Sequence, residues 1–254
     1  QLNAHLLQEP VVHCDETGFR NQGKTEWVHT VSTQHMTLQY RHEKRGKEAM
    51  DAIGFLPAYE GIAVHDGWRS YFAYESCEHV LCHVHHLREL KGIYEQTNQT
   101  WAKEMIDFLL TAKAAKEQAH GQLRAEQLVH FEKEFDRILA QGEQLNPTPQ
   151  KEKKSRGRPK QTPARNLLDR LGNHRDAVLA FLIHPAIPFD NNQAERDIRS
   201  IKVQQKISGS FRSMYGADNF LRVKSVISTL KKQRKSIFHA IQELLETGTI
   251  QLDD

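Results

Sequence analysis

Val11-Val12-His13-Cys14-Asp15 is a short apolar run that stops on a carboxylate and is followed by Glu16-Thr17-Gly18. It reads as a buried strand, with Glu16-Thr17-Gly18 as the turn that ends it. Thr25-Glu26-Trp27-Val28-His29-Thr30-Val31-Ser32 and His35-Met36-Thr37-Leu38-Gln39-Tyr40-Arg41 are two further β-rich runs joined by a short polar link, a hairpin signal. Three strands in succession predict an antiparallel meander. Residues 46–53 then read as a helix stopped by Gly54, and Gly61-Ile62-Ala63-Val64-His65 as a fourth strand with Asp66-Gly67 as its closing turn. Residues 68–72 fit one helical turn, and His79-Val80-Leu81-Cys82 fits a fifth short strand.

From residue 83 to about 141 the apolar spacing is helical, in three segments marked by Leu87, Leu90 and Ile93, by Trp101, Met105 and Phe108, and by Leu128, Phe131 and Phe135. Residues 142–165 collect four prolines, Gly142, Gly157 and many charges, the composition of a linker. Helical patterns resume over 164–182, 191–203, 215–232 and 237–246. The order predicts an α/β protein: a five-stranded mixed sheet flanked by helices, with a helical insertion between the last strand and the final helices. The expected division is 1–82 for the N-terminal part of the core, 83–182 for the insertion, and 183–254 for C-terminal helices that complete the core.

At 254 residues the chain is long enough for a sizeable core. No apolar run approaches the length of a membrane span, and no basic-plus-apolar leader is present, so neither a membrane span nor secretion is predicted. Three cysteines are too few, and odd in number, for a disulfide framework; a reducing cytoplasm is the expectation. The chain begins at Gln1 rather than Met, as expected of a fragment. The net charge of +3 hides an asymmetry: residues 151–235 hold 20 Lys and Arg against 7 Asp and Glu, while residues 1–150 hold 15 against 21. A basic third is the footprint expected for a polyanion partner, although a solvated lysine-rich surface has the same composition.

Asp15 and Asp66 each end a predicted strand just before a glycine-containing turn. Two such strands side by side would bring both carboxylates to one rim. A third carboxylate comes from Asp190-Asn191-Asn192-Gln193-Ala194-Glu195-Arg196-Asp197-Ile198-Arg199. Three good N-cap residues open a helix there, and Ala194, Ile198 and Ile201 form one apolar stripe. Glu195 sits beside that stripe in the first turn, where the helix dipole favours a negative charge. Taken singly, each aspartate reads as a turn residue and Glu195 as an exposed i,i+4 partner of Arg199. Taken together, three converging carboxylates repel one another unless a cation lies between them. Mg²⁺ suits hard oxygen ligands, and two ions roughly 3.5–4 Å apart activate an attacking oxygen and stabilise a leaving one.

The chain resembles the catalytic domain of the IS66 family of bacterial insertion-sequence transposases. The resemblance is carried by Asp15-Glu16-Thr17-Gly18 with Gly23-Lys24 and Trp27-Val28-His29, and by His65-Asp66-Gly67-Trp68-Arg69-Ser70-Tyr71. It continues in Cys82-His83-Val84-His85-His86-Leu87-Arg88-Glu89-Leu90, in Arg165-Asn166-Leu167-Leu168-Asp169-Arg170-Leu171, and in Asp190 to Arg196 with Gly209-Ser210-Phe211-Arg212. It implies an RNase H-like fold, with Asp15, Asp66 and Glu195 as a DDE triad holding two Mg²⁺ ions, Mn²⁺ substituting. It also implies cleavage of DNA to a 3′-hydroxyl and strand transfer into target DNA, in a bacterial cytoplasm. Transposon ends and target DNA are the implied partners, with a dimer on DNA and element-encoded accessory proteins. The family carries a zipper-like helix and a small zinc-binding module ahead of this domain; ten residues precede the first predicted strand here, so recognition of ends is not expected of this stretch by itself. The alternatives are a Mg²⁺-dependent nuclease without strand transfer and a truncated DNA-binding regulator.

Supporting roles are expected for Cys82 and His85, which hold half of a zinc-type spacing, and for Trp68 near the rim, where it and Tyr71 read either as base-stacking or as core residues. His65 reads as core. Arg156-Gly157-Arg158-Pro159-Lys160 resembles an A·T minor-groove hook and reads equally as a solvated linker. DNA-backbone contacts are expected from Arg196, Arg199, Lys202, Lys206 and Arg212, with Lys232 among further basic residues of the last helices.

Overall fold

The computed structural model describes residues 2–149 and 160–252. In chain order they form α1 (Leu2–Leu6), β1 (Val11–Asn21), β2 (Lys24–Ser32), β3 (Thr37–His42), α2 (Lys47–Ile53), β4 (Ile62–His65), β5 (Glu78–Leu81), α3 (His83–Thr97), α4 (Thr100–Gln118), α5 (Ala125–Leu145), α6 (Pro163–Asn173), α7 (Arg175–Ile183), α8 (Asn192–Ser208), α9 (Met214–Lys232) and α10 (Ile237–Thr247). Short 3-10 turns at Leu56–Ala58 and Tyr71–Ala73 flank β4. The five strands make one sheet in the order β3-β2-β1-β4-β5. β1 pairs antiparallel with β2, β2 antiparallel with β3, and β1 parallel with β4. A mixed sheet of this order, flanked by helices, is consistent with the RNase H-like α/β fold.

The meander differs from its sequence reading in one place. β1 does not stop at Asp15 but runs to Asn21, and Glu16-Thr17-Gly18 lies inside it, with Gly18 opposite Trp27. The hairpin turn is Gln22-Gly23, where both residues have positive φ (49° and 77°). That is the geometry a tight two-residue hairpin needs. Gln is an uncommon occupant of it, so the sequence carries no strong signal there, whereas Gly18 offers a false one.

The chain divides into two compact units. One comprises residues 1–79 and 191–254, the other residues 80–190, and the chain passes from the first to the second within β5. In the first unit, alternate residues of β1 serve the two faces of the sheet. Val12 and Cys14 pack with Met50, Phe55, Tyr59 and Tyr71 on one face. Phe19 packs with Val28, Ile201, Ala217 and Leu221 of β2, α8 and α9 on the other. The outer edge of β3 is covered by α9: Thr229 Oγ1 accepts from Thr37 N at 3.1 Å, and Ser225 Oγ accepts from Gln39 N at 3.0 Å. Two hydroxyls thus satisfy strand donors that would otherwise form an open edge.

The second unit is helical, α3 to α7, around buried Trp101, Met105, Leu109, Phe135, Leu167 and Phe181. α5 continues through Gly142 to Leu145, past the expected start of the linker. A Cβ on Gly142 would come within 2.6 Å of Leu168 and 2.9 Å of the Trp101 ring, so this glycine is a close-packing residue and not a breaker. The single helix expected over 164–182 is two, broken at His174. The segment after α7 is held by Lys116, whose buried Nζ donates to the carbonyls of His184 and Ile187. Among the described residues no helix is long and apolar enough to cross a membrane.

The edge cover yields a stability prediction. The paired variant Ser225→Ala, Thr229→Val leaves two buried strand N–H groups without acceptors, each costing about 1–3 kcal/mol. Urea denaturation of the double variant should show a loss of at least about 2 kcal/mol; a midpoint equal to wild type would show that α9 does not satisfy this edge.

Candidate active site

The register of the parallel pair places the two aspartates. Val11, Val12 and His13 of β1 stand opposite Ile62, Ala63 and Val64 of β4, each partner 51 positions further along the chain. Carried two residues on, the same register sets Asp15 opposite Asp66, one residue past the end of β4. Matched positions in neighbouring strands project on the same face, and adjacent strands run about 4.8 Å apart. Each aspartate is braced by backbone: Asp15 Oδ1 accepts from Glu16 N at 2.9 Å, and Asp66 Oδ1 accepts from Trp68 N at 2.9 Å.

Glu195 arrives on α8, whose buried stripe is Ala194, Ile198 and Ile201, as the periodicity predicts. The start of this helix is clipped to β1 by Asn191, which is 1% exposed. Its Nδ2 donates to the Cys14 carbonyl at 2.8 Å, and its Oδ1 accepts from His13 Nδ1 at 2.9 Å. Its own carbonyl accepts from Glu195 N at 3.2 Å in the first turn of the helix. One amide side chain therefore reaches the residue before Asp15, while its backbone opens the turn carrying Glu195. The sequence marks Asn191 only as a capping residue; the structure gives it this further contact.

Burial pushes the Asp15 carboxyl up to about 7; the neighbouring Glu16 charge raises it next, and the charges of Asp66 and Glu195 add to the rise. Asp15 thus feels the charges of both Asp66 and Glu195. The three carboxylates do not all bring an oxygen within 4.8 Å of the other two among the described residues. The Asp15 carboxyl, raised by burial and by its acidic neighbours, belongs to a donor set that a hard divalent cation fits.

The sequence reading passed over Glu16. Once β1 is continuous, Glu16 alternates to the face opposite Asp15, where it is 8% exposed. Its Oε1 accepts from Arg45 Nε at 2.9 Å, and the buried Tyr71 hydroxyl donates to its Oε2. Burial raises the Glu16 carboxyl, and these two donors oppose the rise. The alternation Val12, Cys14, Glu16 was the available signal, masked by the apparent turn. Tyr71 is a core residue, as is His65, which stacks on it at 4.3 Å. Trp68 is half-buried beneath the Arg45 guanidinium.

Arg196, Arg199, Lys202, Lys206 and Arg212 are all exposed, the first four on α8. Lys202 Nζ donates to the Gly18 carbonyl. Lys232 is engaged differently: its Nζ donates to the Thr33 and Met36 carbonyls and pairs with Asp197 at 2.7 Å, which makes it a structural lysine. Lys160 is exposed, and Arg156 and Arg158 lie outside the described residues. Cys82, 1% exposed, precedes the first turn of α3, and His85 is half-buried in that turn; both belong to the second unit.

The family model described as Transposase IS66 family matches residues 1–219 of the chain. No curated protein and no solved structure matches it.

The Asn191 clip is open to test. Asn191→Ala leaves the Cys14 carbonyl without this donor and should cost about 1–3 kcal/mol in denaturant unfolding. Asn191→Asp should cost more at pH 8, because a carboxylate then faces that carbonyl. Equal stability of all three proteins would exclude the clip.

Proposed function

The chain belongs to the IS66 family of transposases, and from that premise we propose that its first unit is a DDE-type polynucleotidyl transferase acting on DNA. The observation that carries this reading is the β1–β4 register, which sets Asp15 opposite Asp66, together with the Asn191 clip that brings the start of the Glu195 helix to the same strand. The reaction has two steps. Water attacks a phosphodiester at the element end, the P–O3′ bond breaks, and a 3′-hydroxyl is released. That hydroxyl then attacks a phosphodiester of the target, forming one P–O bond as another breaks, so joining needs no external energy source.

Asp15, Asp66 and Glu195 would hold Mg²⁺, or Mn²⁺ in its place. The bound ions supply a lowered pKa for the attacking oxygen and charge stabilisation for the leaving one. The protein's own part is to hold three carboxylates at one rim and to place the DNA backbone across it. The exposed Arg196, Arg199, Lys206 and Arg212 suit phosphate contacts, with Lys202 joining them once it leaves the Gly18 carbonyl. Arg156, Arg158 and Lys160 would add a minor-groove contact. Pairing of two ends calls for a dimer on DNA, with Trp68 supporting the site and accessory proteins of the element assisting.

The deciding experiment offers the chain supercoiled plasmid and a labelled oligonucleotide with a 3′-hydroxyl, in Mg²⁺ or Mn²⁺. Nicking and joining by wild type, both lost in Asp66→Asn and in EDTA, are expected. Nicking without joining would instead mark a nuclease, and DNA binding with neither would mark a regulator. Separately, the triple variant Arg196→Ala, Arg199→Ala, Lys206→Ala should reduce the slope of log affinity against log salt by up to about 2.7. A slope equal to that of wild type would remove these residues from the interface.

A further inference from the structure

We propose that Arg45 is a positioning residue that holds the turn carrying Asp66 against the stretch of β1 carrying Asp15. The inference rests on the reading of both aspartates as catalytic. The parallel ladder ends at His13 and Val64, two residues short of the aspartates. The register brings the two aspartates level and the β1–β2 ladder holds Asp15, so the turn carrying Asp66 is the part left to side chains.

Arg45 lies between β3 and α2, in a part of the chain separate from both strands. Its guanidinium bonds Glu16 Oε1 through Nε at 2.9 Å and Nη2 at 2.8 Å, and Glu16 directly follows Asp15. The same guanidinium lies 4.1 Å over the ring of Trp68 and 5.0 Å from that of Trp27. Trp68 is the residue whose N–H holds Asp66 Oδ1. One side chain thus grips the neighbour of each aspartate.

A second path closes the ring. The Tyr71 hydroxyl donates to Glu16 Oε2, and its ring stacks on His65, the residue before Asp66, at 4.3 Å and 16°. His65 Nδ1 in turn accepts from Gly67 N at 3.0 Å. Glu16, His65 and the turn at Gly67 and Trp68 are therefore linked through both Tyr71 and Arg45. The chemistry calls for arginine: the Glu16 side chain is 1% exposed and needs a cation held in fixed geometry. Only a planar guanidinium combines a two-nitrogen grip on a carboxylate with stacking on indoles; a lysine ammonium provides the charge without the plane.

The test uses the full chain with three variants: Arg45→Lys, Tyr71→Phe, and the double variant Glu16→Gln, Arg45→Met. The double variant removes both charges and so avoids an unpaired buried carboxylate. The first readout needs neither metal nor DNA. Amide hydrogen exchange across 62–74 should rise by about tenfold or more in Arg45→Lys and in the double variant, while peptides from α9 and from residues 100–145 keep wild-type rates. The second readout is Mn²⁺ binding by calorimetry, which should weaken by about tenfold or more in the same variants. Tyr71→Phe should show both effects, more weakly. Wild-type exchange across 62–74 in Arg45→Lys and the double variant overturns the proposal, as does a uniform rise along the whole chain. If wild type binds no Mn²⁺ and joins no DNA, the catalytic reading of the aspartates fails, and the clamp fails with it as a catalytic device even where exchange shows that it orders the turn.

Discussion

Parallel pairing of β1 with β4 is the constraint on which the rest of the first unit depends. Three residue pairs, Val11–Ile62, Val12–Ala63 and His13–Val64, fix an offset that carries Asp15 and Asp66 to the same level of the sheet. A slip of one residue would turn one of the two aspartates to the other face. The buried apolar faces resist such a slip: Val12 and Cys14 would exchange places with His13 and Asp15, moving an imidazole and a carboxylate into the cluster around Tyr59 and Phe55. The same alternation that builds the core therefore aims the aspartates.

Burying a carboxylate among other acids is unfavourable by itself: burial first, then the Glu16 charge, with smaller contributions from Asp66 and Glu195, raises the Asp15 carboxyl. The fold offsets this with ties around the site. α8 is anchored at its start by Asn191 and, farther along, by Asp197, which accepts from Thr37 Oγ1 at 3.0 Å and pairs with the largely buried Lys232. Burial lowers the Lys232 ammonium, and Asp197 opposes that shift, as expected for a buried pair that maintains its charge through its partners. The basic residues of the first unit thus fall into two groups. Arg41, Arg45 and Lys232 are held by internal acids or carbonyls, while Arg199, Lys206 and Arg212 face solvent, as does Arg196, which among the described residues bonds only Asn192 and Gln193 of its own helix. Net charge along the chain does not separate these groups; burial and pairing do.

Much of the architecture was legible in the order of elements. Short apolar or β-rich runs near 11–15, 25–32 and 61–65 carry the strand signal, and the helical spacings through 83–141 and 191–203 are strong. What failed were local signals that tertiary packing overrides. Gly18 reads as a turn and is a strand residue beneath Trp27. Gly142 reads as a linker residue and is a contact point for Leu168 and Trp101. Glycine marks either a bend or a close approach, and only the packing partner tells which. The opposite error hid the true hairpin at Gln22-Gly23, because a glutamine with positive φ leaves no compositional mark.

By itself the sequence determined the element order, the place of Asp15 on the first strand and of Asp66 just past the fourth, the apolar stripe that orients Glu195, and the family resemblance that the match over residues 1–219 bears out. These are properties of neighbours along the chain, where propensity and periodicity act. Only the tertiary structure decided that Asn191 reaches Cys14, that Arg45 and Tyr71 close on Glu16, and that Lys232 serves Asp197 and not solvent. Those contacts join residues from 29 to 177 positions apart, and their partners are set by sheet register and burial, which no local pattern of residues encodes.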